Sequence, residues 1–418
     1  MTARNCLPRW LAALALSLLL AACGGGGGGG SVPAPAPATP SSTTSTPAPA
    51  VGSVSASVDA AANVLAMVVD RGVNGSAINS PYVTVTVCQP GTSVCQDIDH
   101  VLVDTGSTGL RLTAATAASL SLPGITANGA VLAECGHFAS GYTWGAVRRA
   151  DIRLASRTAS NVPVQVIGDP GVPAVPASCS GTGGSLDPAG AAKGILGVGL
   201  FTQDCGTFCE ASTSPQIYFG CTAGGCTSAR VATTSQVTNP VTLLATDNNG
   251  VVLVLPAVPV GGAARATGAL ILGIGTQTNN QLGAATVLTT DQRGFFRTVY
   301  NGTPYDQSFL DSGSNGFFFH DASLKTCAVS TEFFCPDAPL SLTATQVSSS
   351  GVSRDVSFTI ESVDALSAQV AGANIAGSAG TALPQAFDWG LPFFYGRTVF
   401  TAITGANTPA GPGPYWAW

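Results

Sequence analysis

The sequence predicts an all-β protein of two lobes, and three observations predict it. The 418 residues include 51 Gly and 27 Pro but only 9% charged residues, which suits many short strands and tight turns better than helical bundles. Runs such as Tyr82–Val87 and Val251–Leu255 have the strand-like apolar character of half-buried sheet. Finally, residues 98–112 are repeated in kind at residues 305–319, at a constant offset of 207. With 45% apolar residues, the body has enough material for a sizeable core.

The chain opens with a charged start (Arg4, Arg9), an apolar run from Trp10 to Leu20, and then Leu20-Ala21-Ala22-Cys23. That run is too short to span a bilayer and reads as an export signal over residues 1–22. Leu-Ala-Ala-Cys resembles a bacterial lipobox, in which Cys23 becomes the acylated first residue of the mature chain. Seven Gly and a Pro/Ala/Ser/Thr tract follow, with too few bulky apolar residues to pack, so residues 23–57 read as a tether. Gly24 is not Asp, which by lipoprotein sorting rules directs the protein to the outer membrane, on its periplasmic face or at the cell surface. The expected partners are therefore a lipid bilayer, through Cys23, and whatever the body acts on. The body divides into a first lobe, 58–262, and a second, 263–418, each with one copy of the repeat. A formal charge of −6, made more negative when Arg4 and Arg9 leave, excludes a nucleic-acid partner. A monomer is expected.

Of twelve Cys, Cys6 leaves with the signal and Cys23 takes the lipid. The remaining even number fits an exported, disulfide-bonded body. Cys88/Cys95, Cys205/Cys209, Cys221/Cys226 and Cys327/Cys335 lie close enough to close local loops, which leaves Cys135 and Cys179 as a long-range pair by elimination. The spacings are not those of a zinc site, and no metal or other cofactor is expected.

The repeat carries the chemistry. Residues 98–112 read Ile-Asp-His-Val-Leu-Val-Asp-Thr-Gly-Ser-Thr-Gly-Leu-Arg-Leu, and residues 305–319 read Tyr-Asp-Gln-Ser-Phe-Leu-Asp-Ser-Gly-Ser-Asn-Gly-Phe-Phe-Phe. Leu102-Val103 and Phe309-Leu310 place Asp104 and Asp311 at the ends of buried strands, where a carboxylate must be satisfied or protonated. Gly106 and Gly313 let the chain turn and bring amide N–H groups to each carboxyl, and Ser107 and Ser314 can donate further hydrogen bonds. Two such turns face to face would bring two carboxyls together, and like charges that close share one proton. The ionised member can then activate a water while the protonated member polarises a carbonyl.

These paired Asp-[Thr/Ser]-Gly-Ser motifs resemble those of pepsin-like aspartic peptidases, and the resemblance extends over roughly residues 80–405 in family order. The frame is also similar to that of a family of uncharacterised bacterial lipoproteins. Residues 137–145 resemble the flap hairpin. Lys193–Gly199 and Trp389–Phe400 resemble the segments that cross behind the two Asp loops, and Gly268–Gly275 the strand that opens the second lobe. The resemblance implies a bilobal double β-barrel and an aspartic endopeptidase of acidic preference. It also implies that Asp104 and Asp311 are catalytic, that Thr105 and Ser312 hold the loops across the lobes, and that Ser107 and Ser314 bond the outer carboxyl oxygens. Two positions depart from the family: Arg111 stands where Trp is usual, and Phe138 where the flap usually has Tyr, with Tyr142 as a candidate replacement at another spacing. No prosegment is visible between tether and body. The departures keep open an alternative, a pepsin-fold binding protein that holds a peptide or polysaccharide in the cleft without turnover.

Other chemistry has weaker support. No Gly-x-Ser-x-Gly elbow accompanies His100, His137 or His320, so a serine triad is not expected. Gly273-Ile274-Gly275 lacks the third Gly of a dinucleotide loop and reads as strand and turn. Arg148-Arg149 reads as a solvated hairpin end, and the closing Tyr415-Trp416-Ala417-Trp418 as packed against a lobe.

Overall fold

The computed structural model describes residues 51–186, 190–380 and 383–418. The export signal, Cys23 and the tether up to residue 50 lie outside the described residues. The described chain is all-β, its α-helices being pieces of four or five residues (Ala114–Ala117, Ala177–Ser180, Thr207–Ala211). Among the described residues no helix is long and apolar enough to cross a membrane.

Each half repeats one device. In the first, strands Pro81–Cys88 and Cys95–Asp104 form a hairpin, with Val83 opposite Val101, closed at its far end by the Cys88–Cys95 disulfide. The chain turns at Asp104 and returns as Thr108–Thr113. Strand Gly194–Val198 then inserts between the two arms of that turn, parallel to Cys95–Asp104 and antiparallel to Thr108–Thr113. Gly197 faces both Asp104 and Gly109, and a Cβ there would lie 2.6 Å from the amide nitrogen of Thr108, so only glycine fits. In the second half, Thr303–Leu310 runs into Asp311 and Phe317–Phe319 leaves it, with Asp388–Trp389 inserted between them in the same two orientations. Gly390 is the counterpart of Gly197: a Cβ there would lie 2.0 Å from the Gly316 carbonyl oxygen. The first expected crossing segment, Lys193–Gly199, thus runs behind its Asp turn, whereas of Trp389–Phe400 only Trp389 lies in the inserted strand and Thr398–Phe400 belongs to another sheet, paired with Gly250–Val254.

A six-stranded antiparallel platform joins the halves. Its order is Val64–Val69, Arg265–Leu272, Gly250–Val254, Thr398–Ala402, Tyr415–Ala417 and Val287–Thr289. Its side chains alternate with a period of two. Leu65, Met67, Val251, Leu253, Leu270, Leu272 and Trp416 enter the main core on one face, whereas Val252, Ala269, Ile271, Phe400 and Tyr415 form a second cluster on the other. The 262/263 boundary falls between two adjacent platform strands, and Gly268–Leu272 runs through the platform's interior. The closing residues Tyr415–Ala417 are a buried platform strand.

Five disulfides form: Cys88–Cys95, Cys135–Cys179, Cys205–Cys209, Cys221–Cys226 and Cys327–Cys335. These are the pairs expected from spacing and elimination. Arg148 and Arg149 are not at a hairpin end. They lie inside the long strand Gly141–Leu154, where Arg148 is turned inward to pair with Asp169 and to donate to the Leu122 carbonyl at 2.9 Å. The turn residues are instead Ala155 and Ser156, where a positive φ at Ala155 reverses the chain.

Candidate active site

Asp104 is the last residue of its strand and is 5% exposed. Asp311 follows directly on the end of Thr303–Leu310. Each turn folds back on its own carboxyl in the same way. The Gly106 amide donates to Asp104 Oδ1 at 2.8 Å, and the Ser107 hydroxyl to Oδ2 at 2.5 Å. The Gly313 amide donates to Asp311 Oδ1 at 2.8 Å, and the Ser314 hydroxyl to Oδ2 at 2.8 Å.

Thr105 and Ser312 tie the two turns together. The Thr105 hydroxyl donates to the Leu310 carbonyl (3.0 Å) and accepts from the Ser312 amide (2.9 Å). The Ser312 hydroxyl donates to the Val103 carbonyl (2.7 Å) and accepts from the Thr105 amide (3.1 Å). All four bonds are buried and form a near-twofold knot. Thr105→Val keeps the shape but strands the Leu310 carbonyl and the Ser312 amide. The expected loss is about 1–3 kcal/mol of stability, read from urea unfolding.

The knot presses the carboxyls together. A Cβ on Gly106 would sit 2.6 Å from Asp311 Cγ, and one on Gly313 would sit 2.7 Å from Asp104 Cγ. Each acid therefore rests on the glycine of the opposite turn, and neither glycine tolerates a side chain. Burial pushes the Asp311 carboxyl up to about 8, helped by the charge of Asp104 and a hydrogen bond with it, against the lowering influence of Ser314 and Gly313. Asp311 thus keeps its proton at neutral pH.

The hairpin read as a flap is formed by Ala130–Phe138 and Gly141–Leu154, turning at Ala139-Ser140. Phe138 sits opposite Gly141, Gly136 opposite Thr143 and His137 opposite Tyr142. Cross-strand partners share a face, so Phe138 and Tyr142 point to opposite faces of the hairpin. Tyr142 packs with Ala133, Cys135, Cys179 and Phe219, beside a hollow of about 350 Å³ that it lines with Trp144, Thr113 and Ile167. It therefore does not take the place of Phe138, and the register parity is the reason. The Phe138 ring instead lies 5.5 Å from the guanidinium carbon of Arg111, so the two departures from the family pattern touch each other.

Arg111 stood out in the sequence, but its partners Glu134, Asp204 and Tyr218, and a further acid, Asp388, went unread. Arg111 is 3% exposed and bonds Glu134 Oε1 at 2.5 Å, the Thr108 carbonyl at 2.8 Å and Asp204 Oδ2 at 3.4 Å. Tyr218 donates to Asp204 at 2.5 Å and accepts from the Val237 amide at 2.7 Å. Burial, then the charge of Glu134, raises the Asp204 carboxyl well above the ordinary range. Two carboxyls thus crowd around one guanidinium. Asp388 is the other omission: it is 4% exposed and its Oδ2 lies 2.6 Å from Ser314 Oγ. The available signal was an acid inside the apolar run Ala386-Phe387-Asp388-Trp389.

Residues 59–418 match a family described as a protein of unknown function (DUF3443). The chain belongs to that family. The matched span holds both Asp turns, the platform strands and the hairpin beside Arg111, so the arrangement above lies within the region that defines DUF3443 membership. No curated protein matches this DUF3443 chain.

Proposed function

We propose that this protein is an aspartic-type endopeptidase with a pepsin-like double-barrel fold, hydrolysing peptide bonds with a water activated between Asp104 and Asp311. The observation that carries the reading is the mutual seating of the two carboxyls on each other's glycines inside a near-symmetric set of hydrogen bonds. The repeated crossing-strand device and the shared platform support the fold reading.

In the proposed reaction the ionised carboxyl takes a proton from water as the oxygen attacks the peptide carbonyl. The protonated carboxyl gives its proton to the carbonyl oxygen, leaving a neutral gem-diol. Collapse of the gem-diol breaks the C–N bond, and a carboxyl returns a proton to the departing amine. No covalent bond to the enzyme forms.

The test is cleavage of a mixed peptide library by the purified protein from pH 3 to pH 9. Activity is expected from acidic pH through neutrality, with loss above about pH 8 as Asp311 gives up its proton. One ¹⁸O from labelled water should enter each new carboxylate, and a statine peptide should inhibit. Absence of cleavage over the whole range, with the five disulfides intact, sinks the reading. One observation favours the second reading: Phe138 brings no hydroxyl to the hairpin. That binding protein would retain a peptide or polysaccharide intact, and the same assay separates the two.

Residues 1–23 support the further proposal that the chain is exported and acylated at Cys23, and so held at the cell envelope. Mass spectrometry of the mature amino terminus tests this.

A further inference from the structure

The Asp388–Trp389 strand lies between Thr303–Leu310 and Phe317–Phe319, with Asp388 paired to Phe309 on one side and Phe318 on the other. Its neighbours are apolar, and its Oδ1 is buried with no hydrogen-bond partner among the described residues. Among the described residues its one polar side-chain contact is Ser314 Oγ, at 2.6 Å from Oδ2, and the same Ser314 Oγ is 2.8 Å from Asp311 Oδ2.

A serine hydroxyl has one hydrogen to give. Two carboxyl oxygens at these distances from one Oγ can both be hydrogen-bonded only if one of the acids brings a proton of its own. Asp388 is the better bearer. As an anion it would leave a buried oxygen unpaired with no cation beside it; as an acid it donates from Oδ2 and leaves Oδ1 a neutral carbonyl. Burial first, and then the charge of Asp311, raise its carboxyl well above the ordinary range, in the same sense. Other ionisable groups on the flanking strands face elsewhere. Asp306 pairs with Arg297, Tyr305 donates to the His320 carbonyl, and Phe317–Phe319 carries none, which leaves Asp311 and Asp104 as the groups that act on Asp388.

We propose that Asp388 is a third, proton-bearing carboxyl of this site, a positioning residue that donates to Ser314 and thereby aims the Ser314 hydrogen at Asp311. The proposal rests on the peptidase reading for its effect on turnover, but not for the proton itself. With Asp388 protonated, Ser314 is committed to Asp311 and stabilises its carboxylate. Without that donor, the Ser314 bond to Asp311 is weaker, and the pair holds its shared proton to higher pH.

The experiment uses the full-length protein and the variants Asp388→Asn, Asp388→Leu and Ser314→Ala. Asn keeps an N–H to give to Ser314, whereas Leu fills the space without a donor. Asp388→Asn should keep kcat within about threefold and the alkaline limb of the pH–rate profile where the parent has it. Asp388→Leu should lower kcat about tenfold with KM unchanged and move that limb upward by half a pH unit or more. Adding Asp388→Leu to Ser314→Ala should shift the limb no further, because the effect passes through Ser314. Superimposed limbs for the parent, Asn and Leu proteins would overturn the proposal. Infrared spectroscopy gives a readout independent of turnover: the C=O stretch of a buried protonated carboxyl, present in the parent at pH 7, should lose one component in Asp388→Asn. A parent that cleaves nothing but shows this loss would leave the third carboxyl standing and remove the peptidase reading. An unchanged spectrum would remove the third carboxyl alone.

Discussion

On the proposed mechanism, Asp104→Asn and Asp311→Asn should each lower kcat for peptide cleavage by about 10³–10⁴-fold, with little change in KM. Either substitution replaces a titratable oxygen by an amide that neither accepts a proton from water nor delivers one to a carbonyl oxygen, a role of that general size. Steady-state kinetics at the pH optimum of the parent measures the effect, and activity within tenfold of the parent in both variants removes the mechanism. Stability moves the other way at position 311. The carboxyl of Asp311 is raised to about 8 in the folded protein from an ordinary 3.8. Its contribution is fully present below that ordinary value and is lost as pH rises through about 8, because the unfolded chain releases the proton first. The parent should therefore lose stability between pH 4 and pH 8, by up to about 1 kcal/mol per pH unit from this group. Asp311→Asn should flatten that slope in urea titrations while abolishing activity. A variant that is inactive yet sturdier at pH 7 distinguishes loss of chemistry from loss of structure.

Arg111→Ala is the most damaging single change expected away from the acids. It removes the cation that pairs with Glu134, which is fully buried, and with Asp204, and among the described residues leaves those two carboxyls with no other ion-pair partner. Breaking a buried pair by deleting one partner costs about 3–5 kcal/mol. Equilibrium unfolding in urea at pH 7 measures it, and a cost below about 1 kcal/mol would show that the network carries no weight. Glu134→Gln in the same chain should recover part of the loss, since the stranded charge is gone, and the double-variant cycle should be strongly non-additive. The Phe138 ring also loses the guanidinium beside it, so any surviving activity should show a raised KM.

Features encoded next to one another in the chain were legible. Two copies of a turn, each with an acid at a strand end and a glycine two residues later, announce a facing pair because each half is complete locally. Gly197 and Gly390, flanked by apolar residues, mark strands that must slip close behind those turns. The short disulfides follow from spacing. Features that depend on distant partners were not legible. Asp388 meets Ser314 across 74 residues, and Arg111 meets Asp204 across 93, so neither acid carries a local hint of what satisfies it. Tyr142 was misplaced for a different reason. Whether it shares a face with Phe138 depends on the parity of the turn between them, and a shift of one residue reverses the answer.

Pairing in the platform imposes an order of events. Strand Val64–Val69 meets its neighbour only when Arg265–Leu272 exists, and Tyr415–Ala417 must still wedge between Thr398–Ala402 and Val287–Thr289. As the polypeptide emerges from a ribosome or a translocation pore, the floor beneath both halves stays open until residue 417 is free. Contacts so remote in sequence form slowly.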